Sequence, residues 1–227
     1  YAELDALRQS AIQELDALCA AARRKLAVLL ASADNINAWD GETKAQPTGK
    51  GTEAEPYRIG TGAELAWLAD KVNGGNSGSL YAVLTADIDL GFCEWTPIGR
   101  KVGYSNGAYR GTFDGQGHTV SGLYISSADT GYVGLFGRGF VGTKLRDLTV
   151  RGEISLTDVT SDIVVGGIIA DSTSAVFENC VSDVQISVTF NDLGGRGSSL
   201  GGFAGLTSSG TFTDCRFEGS ITCLYQY

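Results

Sequence analysis

The apolar positions of this chain keep one period before about residue 80 and another after it. Over residues 1–33 they fall at Leu4, Leu7, Ala11, Leu15, Leu18, Ala22, Leu26 and Leu29, in steps of three and four. That spacing predicts an N-terminal α-helix with an eleven-residue repeat, and "ELDAL" recurs at 3–7 and 14–18. Such a repeat gives a nearly straight or slightly right-handed seam rather than a heptad coil. An apolar stripe needs cover, so the helix packs on a segment upstream, on a second copy of the chain, or on the flank of the next domain. Residues 34–60 are polar and turn-rich, a linker leading into a first strand near Pro56–Ile59. A short helix follows. Thr61 and Glu64 have the spacing of a capping box; Leu65, Leu68, Ala69 and Val72 share one face, and "NGG" at 73–75 ends it.

From Leu80 onward the period is two. Three segments superimpose: "LRDLTVRGEI" (145–154), "FENCVSDVQI" (177–186) and "FTDCRFEGSI" (212–221), at offsets of 32 and 35. Between them lie "VGLFG" (133–137), "GGIIA" (166–170) and "GGFAG" (201–205), at offsets of 33 and 35. A fixed period of that size means stacked units that bury their faces on one another. Alternation with β-branched residues rules out helical repeats, so the expected fold is mainly β, a right-handed parallel β-helix spanning 61–227 and truncated at its C-terminus. The helix at 61–72 would cap its first coil, because a bare coil end exposes strand edges and core. Asp147, Asn179 and Asp214 should sit at a recurring bend, where short polar side chains bond local backbone. "SLTDVTSDI" (155–163) and "FNDLGGRGSS" (190–199) read as loops bulging from the coils.

Composition narrows the function classes. The 227 residues carry a net charge of −9 and a pI near 4.6, which argues against nucleic acid and anionic membrane surfaces. No apolar run reaches the length of a membrane span. The chain lacks Met and starts at Tyr1, and so reads as an excised piece of a longer protein. Five cysteines, with one histidine and no close pair, predict neither zinc nor a disulfide framework. Cys180 and Cys215 take the repeat position of Leu148 and are expected to point into the core as free, poorly reactive thiols.

"GLFG", "GGIIA" and "GGFAG", each followed by an Asp- or Asn-bearing strand, resemble the GLUG repeats of bacterial cell-surface proteins. "GTEAEPYRIGTGAELAWLADKVNGG", "LTADIDLGFCEWTPIG" and "YRGTFDGQGHTVSGLYI" are similar to the module that commonly precedes such repeats. The resemblance spans roughly residues 39–221. It implies a non-catalytic extracellular, cell-surface or cell-wall module, an adhesin-like binder or spacer whose partner is a host or neighbouring-cell glycan or protein. The alternative it implies is an accessory region of a secreted enzyme, either an immunoglobulin-cleaving metallopeptidase or a polysaccharide-cleaving β-helix.

Candidate chemistry is sparse. The sole histidine, His118, follows "DGQG" and reads as part of a turn; no helix follows these glycines to cradle a phosphate. Asp87 and Asp89 in "TADIDL" flank Ile88 and are candidates for paired catalytic carboxylates or metal ligands, as paired acids cleave glycosidic bonds. "NGGNSGS" and "DLGGRGS" hold too few acids for calcium turns, and no cofactor is implied. Tyr104 and Tyr109 in "KVGYSNGAYRG" are the candidate contact residues. The 1–33 stripe offers a route to oligomerisation.

Overall fold

In the computed structural model, residues 37–75, 79–100, 107–129, 131–191 and 197–226 are described, together with Leu4 and Arg8. The helix expected over 1–33 and Tyr104 therefore lie outside the described residues. Contacts divide the chain between Asn37 and Ala38, and all elements below belong to the second part.

Among the described residues the chain forms seventeen strands. The chain passes from β1 (Tyr57–Ile59) through α1 (Gly62–Asn73) to β2 (Ala82–Leu84) and β3 (Ile88–Asp89). It then winds through β4 (Tyr109–Asp114), β5 (Thr119–Ile125) and β6 (Tyr132–Val133), and again through β7 (Phe136–Arg146), β8 (Thr149–Val159) and β9 (Val164–Gly166). The next winding is β10 (Ile169–Thr173), β11 (Val176–Glu178), β12 (Val181–Asn191) and β13 (Ser199–Gly201). The last is β14 (Ala204–Ser208), β15 (Thr211–Thr213), β16 (Arg216–Phe217) and β17 (Ser220–Gln226). Strands one winding apart pair in parallel and build three sheets: β1-β2-β4-β7-β10-β14 with β11 and β15, β3-β5-β8-β12-β16 with β17, and β6-β9-β13. The described residues of the second part form a parallel β-helix of about four turns.

Register explains why the repeat offsets are fixed. Phe113 stands beside Leu145, Leu145 beside Phe177, and Phe177 beside Phe212. Ile125, Ile154, Ile186 and Ile221 form a second inward column. A one-residue slip would turn every member of a column outward. Asp147, Asn179 and Asp214 sit at the bend between the first and second sheets, with φ of 51°, 51° and 53°. This left-handed conformation suits Asp and Asn, and Asn179 Nδ2 donates to Asp147 Oδ1 at 3.0 Å. In the glycine pairs, a Cβ on Gly167 would stand 2.4 Å from the Gly202 carbonyl oxygen of the neighbouring winding. No side chain fits there.

Helix α1 starts as its spacing predicts. Thr61 Oγ1 accepts from the Glu64 amide at 3.3 Å, and Glu64 Oε2 accepts from the Thr61 amide at 3.1 Å. Leu65, Leu68, Ala69 and Val72 are buried in one core cluster with Ile59, Leu84 and Ile98. β1, which precedes α1 in the chain, is the edge strand of the first sheet.

The expected loop at 155–163 is corrected. Ser155–Val159 continue β8, pairing with β12 as far as Val159 beside Phe190. A register shift between Val188 and Phe190, with Asp158 at φ 54°, absorbs one extra residue. This is a β-bulge. It lets Leu156 and Val159 both reach the core. Likewise Phe190 and Asn191 belong to β12, and Ser199 to β13.

Candidate binding face

The two candidate carboxylates are used by the backbone around them. Asp87 is exposed and reaches one winding on, where its Oδ1 accepts from the Thr119 amide at 2.9 Å and lies 3.1 Å from His118 Nδ1. The Thr119 amide first, then His118, hold its carboxyl below the ordinary carboxylate value. Asp89 Oδ1 accepts from the Gly91 amide at 2.8 Å and shapes the turn after β3. Asp87 thus ties its turn to the next winding, and Asp89 serves its own turn. Among the described residues no group of three or more His, Cys, Asp or Glu side chains is placed to hold a metal. His118 is the turn residue expected: its amide donates to the Gly115 carbonyl at 2.8 Å.

Tyr109 requires a correction. It is fully buried on β4, its ring edge-on to Phe136, so it offers no surface contact. Its hydroxyl lies 2.9 Å from the Leu80 carbonyl oxygen and 3.0 Å from that of Thr112. Those acceptors make a buried phenol tolerable, and burial drives its pKa upward. Cys93, Cys180, Cys215 and Cys223 are all free. Cys180 lies in the core beside Leu148, and burial pushes its thiol up to about 12.

Sequence reading missed the outer face of the first sheet. Ion pairs there join one winding to the next: Arg146 Nη2 to Asp114 at 2.7 Å, Lys144 to Glu178 at 2.7 Å, and Arg138 to Asp171 at 3.2 Å. Arg151 and Asp183 do the same on the second sheet at 3.4 Å. The partners lie 32 to 34 residues apart in the chain, so only the repeat offset could have revealed them. Beside this ladder runs a groove of about 260 Å³, floored by Val83, Thr112, Asp114, Lys144 and Arg146, with Tyr81, Glu53 and Pro56 along it. The strands set its floor, because alternate residues of β4 and β7 face outward.

No family model matches the chain, and no solved structure matches it. A protein of Evansella cellulosilytica, named as a Gly-rich membrane protein, is 32% identical to it over 107 residues. That match covers 46% of this chain and 12% of the relative. Within the described residues, no helix is long and apolar enough to cross a membrane.

Proposed function

We propose that this segment is a non-catalytic, extracellular binding or spacing module of a larger bacterial surface protein, of the GLUG-repeat, adhesin-like kind. One observation carries the reading: of the two candidate acids, Asp87 is spent on bonding between windings and Asp89 on its own turn, and Glu94 and Asp162 join windings as Asp87 does. Asp87 holds Thr119, Glu94 Oε1 accepts from the Ser126 amide at 2.9 Å, and Asp162 Oδ1 accepts from the Gly197 amide at 2.8 Å. Each reaches 32 to 35 residues along the chain, one winding. The Thr119 amide favours the ionised form of Asp87, which suits a rigid scaffold better than a proton donor. Stacked coils also present long outer faces on which a partner can lie. The name of the Evansella relative is in keeping with attachment at the cell envelope. The test is to incubate the purified segment with host and plant polysaccharides and mucosal glycoproteins, scoring retention and cleavage. Retention without cleavage is expected of a binder, and neither of a spacer. Cleavage lost in Asp87→Asn or Asp89→Asn would replace this reading with a glycan-cleaving enzyme.

A further inference from the structure

The groove on the first sheet contains four charged side chains, the acids Glu53 and Asp114 and the bases Lys144 and Arg146. Asp114 and Arg146 are bonded to each other across β4 and β7, and the Asp114 side chain is 11% exposed. Lys144 is held by Glu178. With Asp114 and Lys144 each in an ion pair, Glu53 is left as an exposed acid on the rim, and the groove is dense in both donors and acceptors. A cation or an anion would meet its own sign as well as its partner. A ligand that donates and accepts at many points without net charge meets no such conflict. Polyhydroxylated sugars have this chemistry, each hydroxyl giving one proton and taking one. The Thr112 hydroxyl adds a further donor and acceptor, and the half-buried Tyr81 and Val83 supply apolar surface for a sugar's C–H face.

We infer that this groove binds a neutral oligosaccharide, a specificity that rests on the binding-module reading above. The ion pairs do two jobs. They zip adjacent windings, and they hold their donors and acceptors in fixed orientation toward the groove, so little side-chain freedom is lost on binding. Because neither partner of a pair is left alone, ligand entry strands no unpaired charge. Lys144 and Arg146 are two residues apart on one strand, about 7 Å along the floor, which sets the span over which successive hydroxyls are read.

The experiment titrates the intact chain with cellohexaose, mannohexaose and chitohexaose, and with polygalacturonate and heparin as charged counterparts, by calorimetry at low and high salt. At least one neutral oligosaccharide is expected to bind, with affinity changing less than about twofold between the two salt conditions. Glu53→Ala and Thr112→Val each remove one polar contact without opening the core. Each should weaken that binding by roughly 2- to 10-fold with melting unchanged. Arg151→Gln, on the second sheet, should leave it intact. Binding confined to the charged polymers, binding to none of the probes, or full affinity in both groove variants would overturn the assignment. Neutral-sugar binding untouched by the groove variants removes the groove but keeps the binding module; cleavage of any probe removes the non-catalytic reading itself.

Discussion

A carboxylate that accepts a main-chain N–H is favoured in its ionised form, so its contribution to stability follows pH. Asp87 is such a group, with its folded pKa below the ordinary 3.8. Its stabilisation is present above that value and fades as pH falls through the folded pKa. Because the side chain is exposed, the effect is small, roughly 0.5 kcal/mol. Asp87→Ala should melt slightly lower than the parent at neutral pH and level with it in strong acid; a gap that widens on acidification would contradict this role. The thiols give a second test. Cys180 should resist alkylation until the chain unfolds, whereas Cys223, exposed on β17, should react at once. Peptide mapping after a short pulse of iodoacetamide distinguishes them, and a labelled Cys180 in folded protein would show that the core column opens. The sequence made the Cys180 position readable, because it repeats Leu148 in phase. Tyr109 was misjudged because glycines and polar residues before β4 obscure the phase of alternation, and the carbonyls that accept its hydroxyl are invisible without the fold.

Elements were legible where two signals agreed. For α1 the capping box and the apolar face agree, and its Leu68 is fully buried. Leu68→Asp places an unpaired carboxylate in that cover, a cost of about 3 kcal/mol or more. The expected outcome is aggregation or loss of a cooperative melt, seen by calorimetry and light scattering. A variant that stays monomeric with a normal transition would mean the helix does not close the solenoid's first end. The bends at Asp147, Asn179 and Asp214 were legible for a similar reason: the residue type suits a left-handed φ and the spacing repeats. Strand length was not. "SLTDV" reads as a loop because Thr157 and Asp158 break the alternation, yet the bulge at Asp158 restores the phase and keeps Val159 in the core. A bulge has no composition of its own; it is visible only against the partner strand. The ladder and groove were hidden for the same reason, since their members come together only once the register is known.

At the scale of the molecule, one core cluster of described residues runs through the windings from Trp39 to Phe190, and Phe212 and Tyr225 of the last winding stack on its Phe177 and Phe190 at 4.7 and 5.3 Å. The apolar stripe at 1–33 is a separate feature of the sequence, and such a stripe needs cover. Deleting residues 1–33 is expected to shift the population toward monomer in analytical ultracentrifugation as concentration rises; a variant that associates as the parent does would refute this role for the stripe. The β spectrum should persist in the deletion variant, because the core assembled by the windings begins at Trp39.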